Sequence, residues 1–135
     1  MSKSALVLTL FISWTLLLLV VMEVLRSHLV VTGRSRSNEF DPENTNLSPF
    51  MQRLARAHAN CLEGLPVFGG LLVVALAAGR NGVTDPLAPW LLGARVVQSS
   101  IHLASLSVAA VNARFAAFVV QVAIGIYWAL ALVVH

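Results

Sequence analysis

The sequence predicts an all-α membrane protein, a bundle of four transmembrane helices forming one domain over residues 1–135. Three observations predict it. The chain is 58% hydrophobic and only 11% charged over 135 residues, against roughly 25% charged in a soluble domain, so too little polar surface exists to cover a water-soluble globule. Ala5–Met22 and Phe115–Val134 carry no charge at all, and each is about long enough to cross roughly 30 Å of hydrocarbon. The remaining polar residues gather in one loop and on narrow faces of two further apolar segments.

The elements follow in order. The first helix is expected over about 4–32; a cleavable signal peptide is the competing reading, disfavoured by the length of the run and the lack of a small-x-small site. Glu23 and Arg26 stand three apart on it and can neutralise each other. Residues 33–48 (GRSRSNEFDPENTNLS) are polar, with Asn, Asp, Ser and Pro that favour local turns. Ser48-Pro49 then reads as an N-cap followed by the first helical position, opening a second helix over 49–79 that Asn81-Gly82 stops. Asp85-Pro86 repeats that start for a third helix over 86–110. Val111–Ala113 is taken as the turn, and the fourth helix covers 114–134. Gly69, Gly70, Gly93 and Gly125 are placed to let helices approach closely.

Four spans put both termini on one side. Arg26, Arg34, Arg36, Arg53 and Arg56 surround the first loop and Arg114 marks the third turn, whereas Lys3 and Arg80 alone flank the other side. The positive-inside rule then puts the loop in the cytoplasm and both termini away from it, in a bacterial inner membrane or the endoplasmic reticulum. Trp90 and the pair Tyr127-Trp128 would form an aromatic belt at the far interface.

The second helix opens with Arg53, Arg56, Asn60 and Glu63, which share an arc of roughly 80°. Such groups inside a membrane segment are costly and mark a site or a buried ion pair. As a site they suit an anionic peptide-like ligand: arginines for carboxylates or phosphates, Asn60 for an amide, Glu63 for an ammonium. The plainer alternative is that Arg53 and Arg56 anchor the helix at the headgroups. Glu63 and Arg95 both lie near mid-membrane when counted along their helices, and are expected to form a buried ion pair between the second helix and the third. Arg95, Gln98, His102 and Ser105 form a second narrow polar face there, open to ligand contact or to hydrogen bonding between helices. Cys61 is the single cysteine, excludes an intramolecular disulfide, and reads as a small buried residue. No metal-ligand spacing occurs, so no metal is expected. The sequence pI is near 10.0, but the nine Lys and Arg are scattered among apolar runs, without a basic face bearing aromatics; nucleic acid is set aside as a partner.

Arg53-x-x-Arg56-Ala57-x-x-Asn60-x-x-Glu63 followed by Pro66-x-Phe68 resembles the signature of the MAPEG family, the membrane-associated proteins in eicosanoid and glutathione metabolism. The resemblance covers nearly the whole chain. It implies an up-down four-helix bundle assembled as a homotrimer, with glutathione as co-substrate held between neighbouring subunits near the cytoplasmic side. It implies glutathione contacts for Arg56, Asn60 and Glu63, with Arg53 beside them, and matches Arg95 to the arginine that opens the family's third-helix motif. Gln98 and His102 stand where many members have tyrosines. Arg114 is the candidate for the arginine that stabilises the thiolate. Gly64 and Ala59 depart from aromatic and basic residues found in some members, and so point to different ligand preferences.

The function expected is a glutathione-dependent transferase or peroxidase that joins the thiolate to a lipophilic electrophile reached from the membrane lipids. The alternatives are a lipid-binding scaffold of the same family without thiol chemistry, and a bundle whose polar stripes only hold helices together.

Overall fold

A computed structural model describes residues 1–134; His135, the end of the predicted domain, lies outside the described residues. All regular secondary structure of the described residues is helical, without strands: α1 (Lys3–Val31), α2 (Pro49–Gly64), a π-helical turn (Leu65–Gly69), α3 (Gly70–Ala77), α4 (Asn81–Thr84), α5 (Ala88–Ala104) and α6 (Val108–Val134). Three stretches are long and apolar enough to cross a membrane: Lys3–Val31, Pro49–Ala77 and Val108–Val134. The protein is therefore an integral membrane protein. The fourth expected span, α5, has 17 residues and rises only about 25 Å.

α1 buries a single stripe, Ser4, Val7, Phe11, Thr15, Leu18 and Met22, at the three-and-four spacing of one helix face. Many of its other large apolar side chains, Leu6, Leu10, Leu16 and Leu17 among them, face outward, as lipid permits. The hydroxyls of Thr9, Ser13 and Thr15 donate back to carbonyls four residues earlier, so these polar groups are satisfied within their own helix. The Glu23–Arg26 ion pair forms at 3.3 Å. Arg26 also reaches the loop, donating to Asn44 Oδ1 and the Asp41 carbonyl. Asn44 is buried with φ +55°, and its Nδ2 donates to the Met51 carbonyl at 2.8 Å, which ties loop 33–48 to the start of α2. That start is as expected: Pro49 opens the helix and Ser48 Oγ accepts from the Met51 amide.

Several boundaries differ from expectation, each for a visible reason. Pro66 has no N–H to donate, and the helix widens into the π turn there before continuing as α3. The helix stops at Ala77, and Gly79 takes the left-handed conformation (φ +67°) that lets the chain leave; Asn81-Gly82 lies inside the short α4 instead. Asp85 does not cap the third long helix. Its carboxylate accepts from the Ser4 amide at 2.8 Å, from Ser4 Oγ at 2.6 Å and from Asn81 Nδ2 at 2.9 Å, so it caps the N-terminus of α1 from across the bundle. The turn expected at Val111–Ala113 occurs earlier. Ser105 is fully extended, Ser107 N donates to Ser105 Oγ, and Ser107 Oγ accepts from the Ala110 amide. Two serines thus end α5 and begin α6, so α6 opens at Val108 and Arg114 falls in its second turn.

Two apolar clusters fill the interior. One joins Val7, Phe11, Phe68, Leu72, Ala88, Leu91, Ile124 and Trp128; the other joins Leu18, Met22, Met51, Leu54, Ala55, Ala57 and Cys61. Trp128 is fully buried in the first and so does not join the expected belt, whereas Trp90 and Tyr127 are exposed. A Cβ on Gly125 would sit 2.9 Å from Phe68, and one on Gly69 3.2 Å from Leu8; those two glycines permit close approach. Gly70 and Gly93 have nothing within 4 Å and play no such part within the subunit.

Candidate functional site

The polar residues of α2 and α5 do not form one continuous site; they divide between two adjoining openings. α5 lies against α1, α2 and α6 and carries the buried polar residues Arg95, Gln98, Ser99 and His102. The opening nearer loop 33–48 is a cleft of about 340 Å³ lined by Pro49, Gln52, Arg53, Arg56, His102, Leu106 and Arg114. Three guanidinium groups and an imidazole line it, and no carboxylate does. Arg53 donates through Nε to the Leu103 carbonyl at 2.9 Å, satisfying a free carbonyl in the last turn of α5. Arg56 is exposed. Arg114 is half-buried, and its Nε is shielded from solvent without a hydrogen-bond partner.

The second opening is a deeper cavity of about 470 Å³ lined by Asn60, Glu63, Gly64, Val67, Phe68, Arg95, Gln98, Phe118 and Val122. Asn60 Nδ2 lies 3.4 Å from His102 Nδ1, so the two openings meet at that contact. Arg114, Phe118 and Val122 follow at four-residue steps on one face of α6, and that face therefore runs from the cleft into the cavity.

Glu63 and Arg95 share this cavity but do not form the expected ion pair. Among the described residues the ion pairs are Glu23–Arg26 and Arg36–Glu39. The reason is where Arg95 goes. Its guanidinium carbon stands 5.6 Å from the Phe11 ring centroid, its Nη1 donates to the Asn60 carbonyl at 3.3 Å, and it occupies space beside Gly64, where a Cβ would come within 2.6 Å of Nη2. Arg95 is 2% exposed, with its Nε unpartnered, while Glu63 projects from the outer face of α2 and is exposed. The departure at Gly64 thus has a local cause: its missing side chain houses the arginine.

Two contacts behind the cavity, and the role of Ser105, are not legible from the spacing. Gln121 Nε2 donates to Gln98 Oε1 at 2.8 Å. Cys61 Sγ lies 3.2 Å from Ser99 Oγ, both buried, so the cysteine is a packed residue and not a cavity-lining one. Ser105, placed on the polar face by spacing, is the helix terminator. The one signal for Gln121 was an uncharged amide alone in a 20-residue apolar run.

The openings combine a cleft lined by three arginines, a cavity lined by a guanidinium and a carboxylate that are not ion-paired among the described residues, and apolar walls at Val67 and Phe118 that are partly exposed at the surface of the bundle. Such an arrangement fits a small zwitterionic or polyanionic ligand beside a lipid-accessible wall. No curated protein and no solved structure matches the chain. The family model of the MAPEG family matches residues 4–134, nearly the whole sequence, and the chain belongs to that family.

Proposed function

We propose that the protein is a glutathione-dependent transferase of the membrane, which joins the glutathione thiolate to lipophilic electrophiles. The observation that carries this reading is that Glu63 and Arg95 line one cavity unpaired, next to a cleft of three arginines. A carboxylate and a guanidinium held apart match the ammonium and α-carboxylate of a γ-glutamyl end. The arginines Arg53 and Arg56 match the glycyl carboxylate at the other end. Arg56 and Glu63 are seven residues apart on α2, about 10 Å along its axis, a span suited to an extended tripeptide with its cysteine in the middle. Asn60 lies between them and serves the peptide amides; Gln98 and His102 line the opposite wall.

Arg114 lines the same cleft as His102, whose ring reaches Asn60, and in this reading it serves the sulfur. A free thiol with a pKa near 8.5 is only a few per cent thiolate at neutral pH. A guanidinium within about 4–6 Å lowers such a pKa by roughly 1–3 units, so that the thiol loses its proton to water and the sulfur is held as an anion. The thiolate then forms a carbon–sulfur bond with the electrophile, and the leaving group departs with the bonding electrons. The electrophile would arrive from lipid past Val67 and Phe118.

In the same reading α5 makes a fourth, short crossing, with loop 33–48 in the cytoplasm and both termini opposite. The N-terminus of α1, the α4 turn and the C-terminal end of α6 do meet at one end of the bundle. Three copies assemble, because an exposed Glu63 within a spanning segment is costly against lipid and a neighbouring subunit would cover it.

Calorimetric titration of the detergent-purified protein with glutathione, alongside an aryl-halide conjugation assay and a mass measurement, tests the proposal. Saturable binding, turnover and three copies per particle are expected. No binding at millimolar glutathione would overturn it and leave the lipid-binding scaffold.

A further inference from the structure

Gln121 stands in the middle of α6, is 0% exposed, and interrupts an apolar run. Its Nε2 donates to Gln98 Oε1 at 2.8 Å and to the Ala117 carbonyl at 3.1 Å. Its own Oε1 is buried without a hydrogen-bond partner. For the fold alone this is a poor use of the position. A buried amide with an unsatisfied oxygen is less favourable than a leucine of similar volume, and α6 has valines on either side of it, with isoleucines and leucines beyond.

The amide does one thing a leucine cannot. A glutamine side chain has a single carbonyl oxygen and a single NH2 group. With Oε1 of Gln98 engaged by Gln121, the end of Gln98 left for the cavity is its NH2, a donor beside the Arg95 guanidinium. Gln98 is 8% exposed and lines the cavity, so its orientation decides whether that wall presents donors only or a donor next to an acceptor. A carboxylate is bound by the first arrangement and repelled by the second.

We propose that Gln121 is a positioning residue that holds Gln98 so that its amide nitrogen donates to the α-carboxylate of the γ-glutamyl end of the ligand. The proposal rests on the glutathione reading above and adds the means by which the cavity selects the carboxylate. Gln121 touches no ligand; it acts through Gln98.

The test uses the full-length protein in detergent and two ligands, glutathione and γ-aminobutyryl-cysteinylglycine, which lacks only the α-carboxylate. A hydrogen bond to a charged group that is misaimed but not abolished should weaken glutathione binding by about 3- to 10-fold in Gln121→Leu. The analogue should bind wild type and Gln121→Leu equally. Gln98→Leu should show the same selectivity, and the double variant Gln98→Leu/Gln121→Leu should bind glutathione no more weakly than Gln98→Leu alone. Gln121→Met, closer in shape, repeats the comparison if Gln121→Leu does not fold. Equal weakening of both ligands, or a loss that adds to that of Gln98→Leu, would show Gln121 to be a packing residue and overturn the proposal. Wild type that binds glutathione, with Gln121→Leu unchanged, overturns this inference alone; wild type that binds none overturns the glutathione reading with it.

Discussion

The two ends of the bundle use the same side-chain chemistry to opposite effect. At the end where the termini meet, Arg80 donates to the Leu132 and Ala131 carbonyls at 2.9 and 3.0 Å, capping α6, and Asp85 accepts three hydrogen bonds that fasten α1 to α4. Arg80 and Asp85 thus find their partners inside the chain and serve the fold. Towards the loop end, and among the described residues, Arg114 and Arg95 keep unpartnered Nε atoms, Glu63 has no cation within ion-pair distance, and the cleft collects arginines without a carboxylate. The difference is not how many charged residues each end has but whether the fold consumes their hydrogen-bonding capacity. Where it does not, a ligand is the partner that physical chemistry asks for.

Breaking the loop end at Arg114 should have the largest effect. If its guanidinium stabilises charge on sulfur, Arg114→Ala should lower turnover by roughly 10- to 1,000-fold, the range spanned by one lost charge-stabilising donor and a thiol pKa shift. The glutathione Michaelis constant should change little by comparison. Ultraviolet absorbance of the bound thiolate should appear at higher pH than in wild type. A variant with unaltered rate and pH profile would show that Arg114 belongs with Arg80, as a structural cation.

Next in size is Glu63→Gln. Removing one member of a buried ion pair costs about 3–5 kcal/mol, so a paired Glu63 would reveal itself as a collapse in melting temperature. The observed geometry predicts the reverse: unchanged thermal stability without ligand, and glutathione binding weaker by about 10-fold through loss of a hydrogen bond to a charged group. A smaller effect is expected of Gly64→Ala. Its Cβ would come within 2.6 Å of Arg95 Nη2, and the guanidinium can swing away at the cost of its bond to the Asn60 carbonyl. Overpacking of this kind costs about 1–3 kcal/mol, and glutathione affinity should fall about 3-fold as Arg95 leaves its place. Wild-type affinity in Gly64→Ala would mean that the position of Arg95 does not matter to the ligand.

Much of this was legible in the sequence, and the omissions share a cause. Apolar run lengths and the Ser48-Pro49 cap gave the long helices and the start of α2, because those depend on local chemistry. The spacing of Arg53, Arg56, Asn60 and Glu63 showed a common face. It could not show that Asn60 and Glu63 open onto a different cavity from Arg53 and Arg56, since that depends on where α5 and α6 cross. Arg95 and Glu63 were paired by depth, which ignores the space that Gly64 leaves beside the guanidinium. The pattern puts the α5–α6 turn at Val111–Ala113, whereas the hydrogen-bonding capacity of Ser105 and Ser107 decides it earlier. Asp85-Pro86 reads as a local cap, although two of the three hydrogen bonds to the carboxylate come from Ser4, about eighty residues away in sequence, and no periodicity reports a contact of that kind.

The termini end supplies the smallest and most sharply signed prediction. The Ser4 hydroxyl, followed by the Ser4 amide and Asn81, stabilises the Asp85 carboxylate against the opposing cost of burial and holds its pKa below the ordinary 3.8. A carboxyl whose folded pKa is depressed contributes stability that is fully present above its unfolded value and disappears as pH falls through the folded one. Asp85→Asn keeps the shape but cannot carry the charge that faces the α1 N-terminus, so it should cost about 1 kcal/mol at neutral pH, the usual scale for a lost cap. Melting curves of both proteins in detergent should differ most above pH about 5 and converge as pH drops below the unfolded value near 3.9. Conjugation activity at permissive temperature should be the same in both, because Asp85 spends its hydrogen bonds on Ser4 and Asn81, at the end away from the two openings. A stability gap that stays constant down to the lowest pH would mean that Asp85 acts by shape alone. A loss of activity without a loss of stability would erase the distinction between the two ends.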